Sequence, residues 1–315
     1  MPELPEVETI VRQLRPLLTG SRIEHVQVLD PRWAAPLSGE ELASAIAGRR
    51  VLSLERAGKY LHWVLEGQLH LLQHLRMSGA ILVDPPEPVQ HLRAVVEISG
   101  AASSCACAAA SQDAIRAAPS EVGAARPKDA EASAAGLPGA LRRLRLLITD
   151  QRRFGTAELL FGDEAASSFL RARLGPEPLS DSFDARRLWR ASRGRTTSIK
   201  ALLLDQRVVA GIGNIYADEA LFRAGIHPAS QAGRLTRERA ALLCKAIEAA
   251  LTEGIEAKGA SFHDFRHIDG VKGSFQDRFL VHRRAGEPCP TCGAPITKTV
   301  VAGRGTYLCQ ACQRR

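Results

Sequence analysis

The C-terminal end of the chain carries the pattern that most limits how it can fold. Cys289 and Cys292 form one C-x2-C pair, and Cys309 and Cys312 form a second pair after a hairpin-length interval. A segment so short cannot bury enough apolar surface to hold itself together, whereas four thiolates can close a tetrahedral Zn²⁺ site. Disulfides are the alternative, and they are less expected in a cytoplasmic protein. We expect the other three cysteines to be inert thiols: Cys105, Cys107 and Cys244. The sequence therefore predicts one structural zinc ion in a C-terminal hairpin.

The first half of the chain predicts a helix followed by a β-rich domain. Apolar residues recur at helical spacing from Leu4 to Leu18. Residues 23–98 have the alternation and the turn residues typical of strands, and strand-like sequence resumes at 144–149. Between these two segments, residues 100–140 are mostly Ala, Ser, Gly and Pro, which indicates a low-complexity insertion.

A proline-containing break at residues 174–179 predicts the end of the β-rich domain. Beyond it the pattern becomes helical, because apolar residues recur every three or four positions. The segments with this spacing are 183–192, 199–204, 214–224 and 235–255. The chain is therefore expected to combine a β-rich half with a helical half.

Basic residues are in excess, and they are clustered. The sequence contains 42 Lys and Arg against 34 Asp and Glu, a net charge of +8. Clusters of cations suit a surface that follows a phosphate backbone, although a solvated cationic face is the alternative. No apolar run reaches the roughly 18 residues of a membrane span, and the acidic start is unlike an export signal. We therefore expect a cytoplasmic protein with a polyanionic partner.

The N-terminus offers an unusual nucleophile. Removal of Met1 would leave Pro2 with a free secondary amine, and the reference pKa of an α-amino group, about 7.7–8.0, keeps a useful fraction neutral at pH 7. Such an amine can attack a sugar carbon and give an iminium directly, and Glu3 beside it could move protons. The alternative is an ordinary N-terminal proline with no chemical role.

Two glycine-containing turns are candidates for phosphate contact. Residues 211–214 allow a close backbone approach, and Asn214 is the expected N-cap of the helix that follows. Residues 303–305 are the expected turn between the last two strands, with Arg304 at its tip. An ordinary capped helix and a solvent-facing arginine are the alternatives.

Taken together, these motifs resemble those of the formamidopyrimidine-DNA glycosylases, bacterial enzymes that excise oxidised purines. The resemblance runs nearly end to end outside residues 100–140, with the motifs in the family's order. The motifs are Pro2-Glu-Leu-Pro-Glu-Val-Glu8, Gly58-Lys59-Tyr60-Leu61, His74-Leu-Arg-Met77-Ser-Gly79, Arg152-Arg-Phe154-Gly155, Leu174-Gly-Pro-Glu-Pro-Leu179, Gly211-Ile-Gly-Asn214, Gly225-Ile-His-Pro228 and Gly286-Glu-Pro-Cys289.

The resemblance implies an α+β fold in three parts. An N-terminal helix and a β-sandwich would occupy residues 1–174, including the insertion at 100–140. A helix–two-turn–helix domain would follow in 175–280, and a zinc finger in 281–315. Double-stranded DNA containing an oxidised purine or an abasic site would bind in the basic cleft between the two halves of a monomer.

The resemblance also implies roles for individual residues. Pro2 matches the nucleophile that attacks C1′ and holds the sugar as a Schiff base, and Glu3 matches the catalytic acid/base. Lys59 and Arg304 match residues associated with β-elimination and δ-elimination. The positions that match DNA contacts are His91, Arg153, Arg195, Lys200 and Asn214. The side chains that would fill the space left by the extruded base are Met77, Arg152 and Phe154.

Four positions depart from the family pattern, and two alternative functions remain. Arg76 stands in place of a glycine, Arg93 of a DNA-contacting histidine, Gln151 of a proline and Thr196 of a lysine. The alternatives are an endonuclease VIII-like glycosylase for oxidised pyrimidines and a zinc-ribbon DNA-binding protein without catalysis. Leu4 and the segment 262–276, which resembles a lesion-capping loop, favour the purine enzyme.

Overall fold

The computed structural model describes residues 2–86, 88–100, 142–261, 268, 270 and 272–314. The predicted insertion at 100–140 lies outside these residues except for Gly100, so Cys105 and Cys107 lie outside them as well. Much of the predicted lesion-capping loop, residues 262–267, 269 and 271, is also outside the described part.

The first half is a β-sandwich with one long helix packed into it. The helices in this half are α1 (Leu4–Leu18), α2 (Pro31–Ala34), α3 (Gly39–Ile46) and α4 (Asp163–Arg173). The strands are β1 (Arg22–Val28), β2 (Val51–Ala57), β3 (Tyr60–Leu65), β4 (Leu69–His74), β5 (Gly79–Val83), β6 (Leu92–Gly100), β7 (Arg142–Asp150) and β8 (Thr156–Phe161). They form two antiparallel sheets, one in the order β1-β6-β7-β5 and the other in the order β2-β3-β4-β8.

Helix α1 has the bounds that the apolar spacing predicts. Its buried side chains, including Val7, Ile10 and Leu14, belong to one apolar core with residues of both sheets. Leu4, at its first turn, belongs instead to the core of the helical half. The start of α1 is therefore fixed at the junction of the two halves, which places Pro2 and Glu3 there.

The interpretation of residues 23–98 as strands and turns alone was wrong, because α2 and α3 lie within that range. Both begin at a local cap. The carboxylate of Asp30 accepts a hydrogen bond from the backbone N–H of Arg32, and the Ser38 hydroxyl accepts one from Glu41. Such caps satisfy the first free N–H groups of a helix without a long apolar repeat. Helix α4 was likewise not predicted.

The second half is helical, with α5 (Ala185–Ser192), α6 (Ile199–Leu204), α7 (Asn214–Arg223) and α8 (Arg237–Glu256). These four helices lie where the apolar spacing predicts them. Two short 3₁₀ turns, Ala232–Arg234 and Phe275–Arg278, complete this half. Helix α7 is the central element, because every residue from Ile215 to Phe222 is buried.

The chain ends in a hairpin of β9 (Thr297–Val301) and β10 (Arg304–Leu308). Its turn consists of Ala302 and Gly303, whose φ angles are 52° and 70°. Two successive residues with positive φ match the right-handed twist of a hairpin. The prediction of Arg304 at the tip was therefore wrong by one residue, since Arg304 is the first residue of β10 and pairs with Val301. None of the helices that the structure describes is both long enough and apolar enough to span a bilayer.

Candidate active site and DNA-binding groove

A cavity of about 520 Å³ lies between the two halves of the molecule. Seven separate segments contribute to its lining: the start of the chain, the turn before β3, the loop after β4, the end of α6 with the loop that follows, the start of α7, the segment at residues 282–283 and the β9–β10 hairpin. Among the lining residues are Glu3, Lys59, Met77, Asn214 and Arg304. The structure thus brings together predicted residues that are up to 301 positions apart in the sequence.

Glu3 is 2% exposed and caps a helix other than its own. Its Oε1 accepts a hydrogen bond of 3.0 Å from the backbone N–H of Ile215, and its Oε2 accepts one of 3.4 Å from that of Tyr216. Both N–H groups belong to the first turn of α7, where the helix dipole favours a negative charge. The carboxylate directly after Pro2 is therefore held in place by the helical half.

This arrangement corrects the prediction that Asn214 caps α7. The N-cap is Gly213, and Asn214 is the first residue of the helix. A Cβ atom at position 213 would lie 2.3 Å from Cδ of Glu3, so a side chain there would displace the carboxylate. The glycine is needed because the capping carboxylate comes from another segment and approaches the backbone closely.

Lys59 is buried in the floor of the cavity, with 5% of its surface exposed. Its Nζ donates a hydrogen bond of 2.8 Å to the carbonyl of Ile212. Burial lowers the pKa of this lysine, and the cation of Arg304 adds to that effect, whereas Glu3 and Glu6 oppose it. A lysine with a lowered pKa has a larger neutral fraction, which is the form that accepts a proton.

Glu6 is a site residue whose role the sequence did not reveal. It is 1% exposed and accepts three hydrogen bonds, of 2.8 Å from Glu3 N–H, 2.9 Å from the Tyr216 hydroxyl and 2.7 Å from Ala260 N–H. Burial, followed by the charge of Glu3, raises the pKa of this carboxyl. It joins the first residues of the chain to the helical half. The sequence did contain a signal for this role, because the helical spacing places this glutamate toward the core, where a carboxylate needs hydrogen-bond donors.

Lys200 has no exposed side-chain surface. Its ammonium donates to Asp218 Oδ1 at 2.6 Å, to Thr306 Oγ1 at 2.7 Å and to the carbonyl of Gly305 at 3.2 Å. The side-chain amide of Asn214 donates to the same Gly305 carbonyl at 2.9 Å. Both predicted DNA contacts thus hold the hairpin beside Arg304, and Lys200 does so from the interior.

Two adjacent buried carboxylates of α7, Asp218 and Glu219, attach the zinc segment to the helices. Asp218 Oδ2 lies 3.0 Å from Nδ1 of His282, and Glu219 accepts from the backbone N–H groups of residues 280–282. Both are 0% exposed. Neither was predicted as a site residue, although two acidic residues in the middle of an apolar helix are a signal of such a role.

The predicted void-filling residues lie on two neighbouring loops. Met77 is half-buried and lines the cavity, whereas Arg152 is exposed and Phe154 is 59% exposed. An exposed phenylalanine has no packing role within the fold, so its ring is free to enter a base stack.

The carboxylate of Asp150, which is 2% exposed, holds both loops. It accepts a hydrogen bond from the Ser78 hydroxyl at 2.5 Å and from the backbone N–H groups of Arg152, Phe154 and Gly155 at 3.2, 2.8 and 2.6 Å. Ser78 follows Met77 directly, so one buried group positions both loops that carry the predicted void-filling side chains. Asp150 directly precedes the family-like motif at residues 152–155 and was not itself predicted as a site residue.

Arg76, which replaces a family glycine, adopts a left-handed conformation with φ of 55°. Its N–H donates a hydrogen bond of 2.9 Å to Nδ1 of His74. Burial, then the charges of Arg76 and Lys59, lower the pKa of His74 to about 3, so this ring nitrogen remains an acceptor at neutral pH. The glycine-like backbone is thus kept in spite of the substitution.

The remaining predicted DNA contacts lie at the surface. His91, Arg153 and Arg195 are exposed, as a phosphate contact requires. By contrast, Arg93, at another of the four altered family positions, is 1% exposed and turned inward to form an ion pair with Asp30. Asp30 also lies 3.6 Å from Arg153, so Arg93 supports the loop from below.

The four cysteine sulfurs lie within 4.8 Å of one another. The Cys289–Cys312 separation is 3.9 Å and the Cys292–Cys309 separation is 3.4 Å, both too long for a disulfide and close to the edge of a ZnS₄ tetrahedron with bonds of about 2.3 Å. Four thiolates are the donor set that zinc prefers. By contrast, Cys244 lies in α8, and burial raises the pKa of its thiol to about 12, which agrees with the prediction of an inert thiol.

Comparison with known proteins decides the family. Residues 1–109 match the model of the formamidopyrimidine-DNA glycosylase N-terminal domain, residues 174–266 that of the family's H2TH domain, and residues 286–315 that of the zinc finger found in FPG and IleRS. The formamidopyrimidine-DNA glycosylase of Gluconobacter oxydans is 40% identical over the full length of both chains. The chain belongs to the formamidopyrimidine-DNA glycosylase family. Membership confirms the predicted enzyme class, a base-excision repair glycosylase for oxidised purines, and the predicted structural zinc.

Solved structures agree with the assignment. The crystal structure of the Thermus thermophilus family member superposes with a TM-score of 0.76 at 38% identity, covering 99% of this chain and 98% of that one. The Lactococcus lactis enzyme in complex with abasic-site DNA gives a TM-score of 0.79 at 30% identity, covering 99% and 100%. The predicted α+β fold, with its sandwich, helical domain and zinc hairpin, is therefore confirmed.

Proposed function

We propose that the cavity between the two halves excises 8-oxoguanine and formamidopyrimidines from duplex DNA through a covalent bond to Pro2. The observation that supports this most directly is the position of Glu3, buried beside Pro2 and fixed by the N–H groups of α7. A proton-transfer group in a defined place next to an amine nucleophile is what the first chemical step requires.

In the first step the Pro2 nitrogen attacks C1′ of the damaged nucleoside, and the bond from C1′ to the base breaks. The proton lost by the proline nitrogen passes through Glu3 to the sugar ring oxygen, which opens the ring and leaves an iminium between Pro2 and C1′. The departing base takes its proton from water. The buried setting of Glu3 strengthens its interaction with the cationic iminium, because charges interact more strongly away from water.

In the second stage the strand is cut on both sides of the sugar. Lys59, whose pKa burial lowers, accepts a proton from C2′ as the 3′-phosphate departs. Arg304, exposed at the edge of the same cavity, binds the phosphates and assists loss of the 5′-phosphate. Hydrolysis of the iminium then restores the amine of Pro2.

The exposed side chains around the cavity bind and distort the DNA. Met77, Arg152 and Phe154 replace the extruded nucleotide, which offsets the unstacking cost of a few kcal/mol. His91, Arg153, Arg195 and Asn214 contact phosphates, and Lys200 acts by holding the hairpin. Zn²⁺ held by Cys289, Cys292, Cys309 and Cys312 would stabilise that hairpin.

We assign the β-sandwich domain to residues 1–174, with the insertion at 100–140. The helix–two-turn–helix domain then occupies 175–280 and the zinc finger 281–315. The protein acts as a monomer in the bacterial cytoplasm, associated with the nucleoid through DNA.

Borohydride trapping tests the covalent step. Wild-type protein mixed with an 8-oxoguanine duplex and borohydride is expected to form a stable protein–DNA adduct whose linkage maps to Pro2 by peptide mass analysis. A variant that retains Met1 should form none, and intact mass shows whether Met1 is present. A full yield of adduct with the amine of Pro2 blocked would disprove the assignment. An oxidised-pyrimidine duplex run in parallel separates the purine enzyme from the endonuclease VIII alternative.

A further inference from the structure

A second concave surface, on the outer side of the helical half, is lined mainly by arginines. This pocket has a volume of about 440 Å³, and its lining residues are Ala185, Arg186, Trp189, Arg190 and Arg237. It shares no lining residue with the cavity that contains Glu3. We refer to it as the arginine pocket.

The guanidinium groups around the arginine pocket form no close ion pairs with carboxylates in the described part of the chain. Seven arginines of this region are exposed: Arg186, Arg187, Arg190, Arg193, Arg195, Arg234 and Arg237. Within residues 142–261, none of their guanidinium groups has a carboxylate oxygen within 4.0 Å, whereas those of Arg171 and Arg207 do. A neighbouring carboxylate, that of Asp184, accepts from the backbone N–H of Arg187. The lining itself contributes three positive charges and no negative one. Such a surface attracts polyanions.

The arrangement works against the local stability of the helices. Arg186 and Arg190 are four residues apart on α5, and Arg193 follows three residues later, so like charges lie on one face. Arg237 is in the first turn of α8, where the helix dipole disfavours a cation. Placing these like charges at one pocket is unfavourable for the isolated fold, and a bound anion would offset their mutual repulsion.

Trp189 gives the pocket a rigid wall. The guanidinium of Arg237 lies 4.5 Å from the centre of its ring and that of Arg193 lies 5.5 Å away, on the same indole. Stacking on an aromatic ring fixes the plane of a guanidinium and leaves its N–H groups available. The pocket therefore presents arginines in a defined orientation before any ligand binds.

We propose that the arginine pocket binds the phosphodiester backbone of DNA outside the lesion site. Arginine forks match phosphate geometry, and a continuous polyanion supplies one charge after another to a row of cations. The row continues through Arg193 to Arg195, which precedes α6, and Lys200 of α6 holds the hairpin that carries Arg304. Exposed arginines thus connect the arginine pocket to Arg195, one of the predicted DNA contacts, whereas Lys200 beyond it is buried. The inference rests on the proposed action on duplex DNA, and it extends the bound length of that duplex.

Tryptophan fluorescence can report on this pocket directly. The chain has three tryptophans, and Trp33 and Trp63 are only 2% and 3% exposed in the core of the first half. Titration of wild-type protein with a long undamaged duplex should therefore change the emission of Trp189. The W189F variant should lose that change while still binding the duplex by anisotropy.

Charge removal then measures the contribution to affinity. The triple variant R186A/R190A/R237A is compared with the charge-matched triple variant R22A/R49A/R50A, whose arginines are exposed on the first half. If three phosphate contacts are lost, the slope of log K against log salt should fall by about 2.7, and affinity for undamaged duplex at low salt by about 10-fold or more. In the control variant R22A/R49A/R50A, both the salt slope and the affinity for undamaged duplex should change less than in R186A/R190A/R237A.

The two proposals can fail separately. Borohydride trapping on an 8-oxoguanine duplex at saturating protein should be unchanged in R186A/R190A/R237A, because the pocket is apart from the reacting groups. Loss of trapping by the wild type would count against the proposed function alone. An unchanged salt slope in R186A/R190A/R237A, or a loss no larger than that of the control, would overturn the arginine pocket as a DNA site. If R186A/R190A/R237A lost the binding to polyglutamate that the wild type shows but kept its binding to the duplex, the pocket would be a site for an acidic protein and not for DNA.

Discussion

The lesion cavity and the void-filling loops are both organised by a buried carboxylate, yet they present different parts of the chain to DNA. At the cavity, Glu3 caps α7 and is also the proposed proton-transfer group, and Lys59, which lines the same cavity, is buried as well. At the loops, Asp150 is buried and binds only backbone N–H groups and a hydroxyl, whereas Arg152 and Phe154 extend into solvent.

The difference follows from what each region does. Proton transfer needs groups held in one geometry away from water, so the acid itself is buried. Replacing an extruded base needs an apolar surface that is free before DNA arrives, so only the backbone of the loop is fixed. Substitutions in the two regions should therefore affect the excision rate, the free energy of unfolding and the cleavage of a preformed abasic site to different degrees.

The largest expected effect is that of Glu3→Gln. The amide oxygen can still accept from the N–H of Ile215, so the start of α7 is preserved, but proton transfer is lost. We expect single-turnover excision of 8-oxoguanine to slow by about 10²–10⁴-fold. Glu8→Gln, which alters an ion-paired carboxylate of the same helix, is the control. A rate equal to that of wild type would show that another group transfers the proton.

The second prediction concerns the buried anchor of the hairpin. Lys200→Met leaves Asp218 buried without its cation, which should lower the free energy of unfolding by about 3–5 kcal/mol. Urea denaturation measures this loss. Arg207→Met breaks an exposed pair with Asp205 and should cost less than about 1 kcal/mol. Unchanged stability with weakened DNA binding would mean that Lys200 contacts DNA directly.

The third prediction compares a loop anchor with a loop side chain. Asp150→Asn removes charge-assisted hydrogen bonds to three N–H groups, so we expect a loss of roughly 2–3 kcal/mol and slower excision. Phe154→Ala should slow excision to a similar degree with a stability change within about 0.5 kcal/mol, since the ring is exposed.

Cleavage of a preformed abasic site checks the interpretation of both loop variants. It should be less affected than excision in each, because no base has to be extruded. Equal slowing of the two reactions would contradict a void-filling role.

The smallest effect is expected at Arg76. Arg76→Gly removes the cost of a non-glycine residue at φ of 55° and should stabilise the fold by about 1 kcal/mol, as measured by urea denaturation. Arg76→Ala removes the same charge from the cavity but keeps the left-handed backbone, so it should give no such gain. Equal stability of the two variants would show that the turn is not strained.

Local patterns in the sequence determined much of this protein. The spacing of apolar residues placed α1 and the four helices of the second half, because one face of each is buried along its whole length. The two cysteine pairs determined the zinc hairpin, because four thiolates in so short a segment can close a tetrahedral Zn²⁺ site and the segment has little apolar surface to bury. Motifs in a fixed order determined the family, and five of the site residues that they predict line the cavity: Glu3, Lys59, Met77, Asn214 and Arg304.

Only the tertiary structure decided how those residues are held. The cap of α7 comes from Glu3, 211 positions before the helix begins, and no local pattern around Asn214 reveals it. The anchoring roles of Glu6, Asp150 and Asp218 likewise depend on donors from distant segments. A buried carboxylate must find N–H groups or cations wherever the fold supplies them, so its partners are set by packing rather than by neighbours in the sequence.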